Sequence, residues 1–204
     1  MKKLGKDFFL RENVVDISRE LIGKFLVTNF NNTLTSGMIV ETEAYNGVVD
    51  KASHAYNGKR TKRNEIMYGE GGNTYVYLCY GIHHLFNVVT NKKDTPHAVL
   101  IRAVIPKDGT EVILKRRKQK SIIRKISDGP GTLSQALGIK TVHSGVSLSG
   151  KVIWIEERGF EFAKKEIEAG PRIGVDYAGK DALLPYRFRL NDNSIKDITN
   201  EWYS

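Results

Sequence analysis

The run Ile39-Val40-Glu41-Thr42-Glu43-Ala44-Tyr45 sets two carboxylates and a phenol at alternate positions. Alternate side chains of a strand share a face, so Glu41, Glu43 and Tyr45 point one way and Val40, Thr42 and Ala44 the other. Carboxylates beside a hydroxyl could serve as a general base on water. The same pattern also suits an ordinary solvated strand face. A second group is Tyr75, Tyr77 and Tyr80. Tyr75 and Tyr77 share a face, while Tyr80 takes the other face or the tip of a turn. Such rings could stack on a nucleic-acid base or wedge into a base stack, and strands also favour tyrosine for packing alone.

Charge narrows the choice of partner. The chain of 204 residues carries a formal net charge of +9. Lys59, Arg60, Lys62 and Arg63 form one basic cluster, and Lys115, Arg116, Arg117, Lys118, Lys120, Arg124 and Lys125 form another. Two clusters on top of a large overall excess favour phosphate contact over a merely solvated face, with nucleic acid ahead of an acidic membrane surface. Contacts of this kind position a protein without reading sequence.

Several classes drop out. Cys79 is the only cysteine, which excludes an internal disulfide and a thiol-rich metal site. The histidines His54, His83, His84, His97 and His143 follow none of the usual ligand spacings, so no metal and no cofactor are expected. Gly69-Glu70-Gly71-Gly72 lacks the lysine and following helix of a phosphate-binding loop. There is neither a signal-peptide pattern nor an apolar run long enough to span a membrane. The chain therefore reads as soluble and intracellular, and the sequon at Asn31 as a chance match.

The elements that must position these residues can be sketched. Apolar spacing predicts a short helix over 14–23. Strands are expected at 24–28 and 37–44, joined by an Asn-rich turn at 30–33. Residues 46–73 are polar and Gly-rich, and a loop of this length is usually functional or disordered. The runs 74–80 and 85–90 predict a hairpin, and 98–105 a buried strand. A basic helix is expected over 110–126. Thr132 followed by Gln135 matches a capping box, which predicts a helix over 133–137. Late strands fall at 152–156 and 186–190. Few helices, irregularly interleaved with strands, indicate an α+β chain with a mostly antiparallel sheet, in one domain spanning 1–204.

Taken in order, the segments Gly37–Tyr45, Ser53-His54, Thr61–Asn64, Thr74–Gly81, Phe86-Asn87 and Val99–Ala103 resemble the alkyladenine (3-methyladenine) DNA glycosylase family. Gly129-Pro130, Gln135–Leu137, Pro171–Val175 and Pro185–Phe188 continue the match, which covers roughly residues 20–190. This family is monofunctional and distinct from the helix-hairpin-helix glycosylases. The resemblance implies a single mixed α/β domain, a curved sheet with flanking helices, and a protruding β-hairpin that inserts into DNA. It implies that Glu43 activates water and that Arg102 helps to hold that water and the nearby phosphate. Tyr45, His54 and Tyr77 would wall the flipped-base pocket, Asn87 would exclude the exocyclic amino group of guanine, and Tyr80 would intercalate. Lys59, Arg60, Lys62, Arg63, Arg116 and Arg117 are expected on the DNA backbone. His83 and His84 receive no role.

The function expected is base-excision repair: flipping of alkylated or deaminated purines from double-stranded DNA and hydrolysis of the N-glycosidic bond, leaving an abasic site. A monomer located in the bacterial cytoplasm, at the nucleoid, is expected. Two other readings stay open on the residues alone. A non-catalytic nucleic-acid-binding module would explain the charge and tyrosines but leave Glu43 dispensable. A metal-dependent hydrolase would use Glu41, Glu43 and nearby histidines.

Overall fold

The computed structural model describes residues 1–123 and 126–203. The strand β2 (Phe25–Phe30) turns through Asn31 and Asn32 into the long strand β3 (Thr33–Tyr45). Both asparagines take positive φ, 52° and 59°, the left-handed geometry of a tight two-residue hairpin that Asn tolerates well. The expected turn is there, with longer strands. Helix α2 (Val14–Glu20), which follows a single turn α1 (Lys6–Phe9), starts at Asn13, whose side chain accepts from the N–H groups of Val15 and Asp16. A cap of this kind is worth about 1 kcal/mol. Ile17 and Leu21 carry α2 onto the sheet, and the Ser18 hydroxyl reaches Thr42 at 3.0 Å.

Strands β4 (Thr74–Cys79) and β5 (His83–Thr90) form the predicted hairpin, and β6 (His97–Pro106) follows. With β1 (Lys2–Lys3) and β7 (Ile153–Glu157) the strands order as β1-β7-β2-β3-β6-β5-β4, and every pairing is antiparallel. Strand β9 (Arg187–Leu190) joins the edge of β3 beyond the reach of β2 and pairs in turn with β8 (Ile167–Gly170). The sheet thus branches at the segment that carries Glu41 and Glu43. Helices α3 (Thr110–Arg117), α4 (Pro130–Leu137) and α5 (Asp192–Tyr203) flank it.

Two expectations need correction. The basic helix stops at Arg117 because Lys118 adopts φ 52° and caps it, so only the first part of the 110–126 prediction is helical. Arg124 and Lys125 lie outside the described residues. The capping box does not form. Helix α4 begins at Pro130, whose fixed φ suits the first helical position, after Gly129 at φ 125°. Thr132 instead donates to the Gly129 carbonyl, and Gln135 donates to the Arg116 carbonyl.

The main core fills the space between the sheet and α2, α3 and α4, with Phe25, Leu26, Ile39, Ile101 and Phe188 fully buried. Two small apolar clusters lie apart from it. One gathers Ala55, Met67, Tyr68, Tyr75, Val89 and Ala98; the other gathers Ala52, Val175 and Ala178 against Tyr45. Each backs one wall of the cavity described next. The 46–73 segment is ordered by short 3-10 turns and by Asn64, whose side-chain amide donates to the carbonyls of His54 and Lys59 at 2.9 and 2.8 Å.

Candidate active site

An irregularity in the β3–β6 ladder builds the site. Ile39 pairs with Val104 and Glu41 with Ala103, but Thr42 pairs with Ile101. Val40 and Arg102 are therefore left without a Cα partner, one extra residue on each strand in turn. Bulges re-aim side chains, and they recur beside active sites. Here Arg102 turns onto both glutamates: its Nε donates to Glu41 Oε1 at 3.0 Å, and its Nη1 lies 3.3 Å from Glu43 Oε1. Neither carboxylate is solvated, since Glu41 is 4% exposed and Glu43 0%. The plain solvated-face reading of this strand is excluded by that burial.

The two glutamates differ in their partners. Glu41 Oε1 accepts from Arg102 and also from Arg187 Nε at 2.5 Å. Glu43 accepts the Ile173 backbone N–H at 2.8 Å on Oε1 and the Tyr45 hydroxyl at 2.8 Å on Oε2. Two hydrogen bonds and the ion pair with Arg102 hold Glu43, and an ionised carboxylate can accept about four, which leaves capacity for a water. The Tyr45 phenol is pushed well up by burial and then by Glu43, so it remains a donor.

A cavity of about 350 Å³ opens over Glu43 and is lined by Tyr45, His54, Tyr77, Tyr80, Asn87 and Arg102. All the side chains singled out for catalysis, base binding and intercalation thus meet in one place, at a size that suits a small aromatic ligand. A larger cavity of about 640 Å³ lies between β6 and α5 and gathers none of them. His54 Nδ1 is 2.9 Å from the Tyr75 hydroxyl, and its ring meets Tyr77 edge-on at 4.7 Å. Burial first, then Arg63 and Lys59, lower the His54 pKa to about 4, so the imidazole is neutral at physiological pH. Asn87 is held by two bonds from Nδ2, to the Tyr75 and Leu85 carbonyls at 3.1 and 3.3 Å. Tyr80 sits at the hairpin tip, 90% exposed, with φ 50°.

Sequence patterns missed three supports. Arg172 and Asp50 form a buried bidentate pair at 2.5 and 2.8 Å, and the guanidinium lies over the Tyr45 ring at 4.9 Å. The neighbouring Ile173 N–H is the donor to Glu43. Arg187 anchors Glu41. Arg172, Ile173 and Arg187 lie within segments that carry the resemblance, whereas Asp50 lies outside them.

The basic residues divide. Lys59 and Lys62 are exposed, whereas Arg60 is held by Glu65 and Asp94. Arg63 is exposed as well, and it also lines the cavity. Arg116 donates to Thr35 and the Ala136 carbonyl, and Arg117 donates to the Ile126 carbonyl and Gln135. His84 accepts the Thr141 N–H, and His83 packs on Gly131, where a Cβ would come within 2.8 Å of the ring. Among the described residues no three His, Cys, Asp or Glu side chains converge as metal ligands, and no helix is long and apolar enough to cross a membrane.

Comparison with known proteins decides the family. The model of the methylpurine-DNA glycosylase (MPG) family matches residues 7–194. The chain belongs to this family. Proteins named as 3-methyladenine DNA glycosylases are similar to it throughout. The one from Chlamydia felis is 44% identical over 96% of this chain and 100% of its own. That from Desulfitobacterium hafniense is 42% identical over 97% and 100%, and that from Bacillus cereus 44% over 88% and 92%. This methylpurine-DNA glycosylase is accordingly a DNA-binding repair hydrolase of base excision, acting on the N-glycosidic bond of alkylated purines. The family excludes a non-catalytic module as the better reading.

Proposed function

We propose that this glycosylase rotates a damaged purine out of double-stranded DNA into the cavity over Glu43 and hydrolyses its bond to the sugar, leaving an abasic site. Chemistry on a stacked base is blocked, so the nucleotide must turn out, at a cost of a few kcal/mol that is smallest for a damaged base. Tyr80, exposed at the hairpin tip, fills the gap. The flipped ring lies among Tyr45, His54 and Tyr77, where a cationic alkylated purine gains about 0.5–2 kcal/mol from the aromatic faces. Asn87 stands where the exocyclic amino group of a normal guanine would press.

Glu43 is the general base. It takes a proton from water as the oxygen attacks C1′, and its charge steadies the developing sugar cation. The observation that carries this assignment is the placement of the two carboxylates. Glu43 lines the cavity, whereas Glu41, bound by Arg102 and Arg187, does not. Arg102 orients Glu43 and reaches toward the phosphate. Among the described residues no lysine lines the cavity, which supports hydrolysis without an imine and without strand cleavage. The protein acts as a monomer, as one domain over residues 1–204, with Lys59, Arg60, Lys62, Arg116 and Arg117 toward the DNA backbone, and associates with the nucleoid.

The test is base release from DNA carrying alkylated purines. Glu43→Gln should lower release by roughly 10²–10⁴-fold, the usual yield of a general base, while binding to lesion DNA persists. Full activity in that variant, or loss only in Glu41→Gln, would reverse the assignment.

A further inference from the structure

The cavity wall holds a second cation besides Arg102, the guanidinium of Arg63. The guanidinium carbon of Arg63 lies 4.9 Å from the centroid of the Tyr77 ring. Arg63 shares the wall with His54, Tyr75 and Tyr77, and Arg102 with Glu43, to which it is paired. Tyr77 feels both sides: burial raises its phenol most, Arg63 opposes that, and Glu43 adds to it. Of the pocket groups beside Arg63, His54 is neutral with its pKa near 4 and Tyr75 is pushed up to about 12 by burial, while Lys51 and Lys59 stand on its other side. Among the described residues no carboxylate pairs with Arg63, in contrast to Arg60, which Glu65 and Asp94 occupy. A phosphate contact is poorly served by a guanidinium laid on a pocket ring. A leaving base is served well.

We propose that Arg63 determines leaving-group specificity: it donates hydrogen bonds to the departing purine and carries the charge that a neutral damaged base acquires as its bond to C1′ breaks. The idea rests on the cavity being the base pocket, as proposed above. A neutral oxopurine such as hypoxanthine leaves with the bonding pair and becomes an anion spread over its ring nitrogens and O6. The water oxygen bonds to C1′, its proton goes to Glu43, and the purine anion takes up a proton from solvent on release, which restores Glu43 through the same solvent. A guanidinium acts here as a donor of hydrogen bonds only, so no proton passes through it. Its planar donors suit a purine edge, and fixed donors aimed at developing charge are the strongest form of this stabilisation. A purine alkylated at N3 or N7 is already cationic and leaves neutral. It needs no such donor, and a facing guanidinium repels it.

Single-turnover base release at saturating enzyme tests this, on duplexes carrying one hypoxanthine or one 7-methylguanine. Arg63→Gln should slow hypoxanthine release about ten- to hundredfold, the worth of one charge-assisted hydrogen bond, with 7-methylguanine release unchanged or faster. Arg63→Lys, which keeps the charge and loses the fork, should fall between. Equal loss on both lesions, or no loss on either, would overturn the proposal. So would a wild-type enzyme that releases 7-methylguanine and no hypoxanthine, for the cation would then have no neutral leaving group to serve. Glu43→Gln runs alongside as the control for the site itself: if it retains release of both bases, the reading of the cavity fails, whatever Arg63 does.

Discussion

At the scale of single residues, the site sets neighbouring groups of one kind to different tasks. Glu41 and Glu43 are separated by one residue, yet one is clamped by two guanidiniums outside the cavity and the other lines it. Tyr80 shows a second division. A tyrosine at positive φ costs of order 1–3 kcal/mol, and strain of this kind concentrates at functional positions. Tyr80→Asn, a residue at ease in that conformation, should raise folding stability by up to about 1 kcal/mol in urea titration. The same variant should slow base release most on fully paired lesions. His54 carries a pH signature. Its folded pKa of about 4 lies below the ordinary imidazole value of 6.5, so the unfolded chain binds the proton first. Stability should therefore fall as pH drops through that window and level off below it. Denaturant midpoints of His54→Gln above and below the window should show a flatter slope.

At the scale of elements, alternation on strands made much of the site legible. Period-two spacing placed Glu41, Glu43 and Tyr45 together and paired Tyr75 with Tyr77, whose rings lie 5.4 Å apart. It could not show the ladder offset that turns Arg102 onto both carboxylates, because the offset depends on two strands in register. Nor could it show the Arg172–Asp50 pair, whose members are 122 positions apart. Composition misled at Lys118, where nothing in the residue type announces a left-handed stop, and at Thr132, where Pro130 starts the helix two residues earlier. The buried pair ties the 46–53 loop to the segment that carries the Ile173 N–H. Asp50→Ala leaves Arg172 buried and charged without its carboxylate, with the Ala44 and Asp181 carbonyls left to accept from it, and should cost roughly 3–5 kcal/mol in equilibrium unfolding.

At the scale of the whole molecule, the excess of +9 is the part of the sequence that most plainly announced a polyanion. Each lysine that neutralises a phosphate steepens the fall of affinity with salt by about 0.9 in the log–log slope. Lys59→Gln and Lys62→Gln, both exposed, should each flatten the slope for duplex binding by about that amount. Arg60→Gln should change it less, because Glu65 and Asp94 already occupy its guanidinium.

The branch of the sheet at β3 has a consequence for biosynthesis. The edge of β3 that bears Glu41 is completed by Arg187, a residue 146 positions later. At a translation speed of ~5–20 residues per second, a nascent chain waits on the order of 7–30 s between making the first and making the second. In that interval β2 and β6 can already pair with β3, but the edge at Glu41–Glu43 that β9 takes stays open, and Glu41 lacks its second guanidinium. The newborn enzyme therefore completes its acidic pair only after Arg187 has emerged.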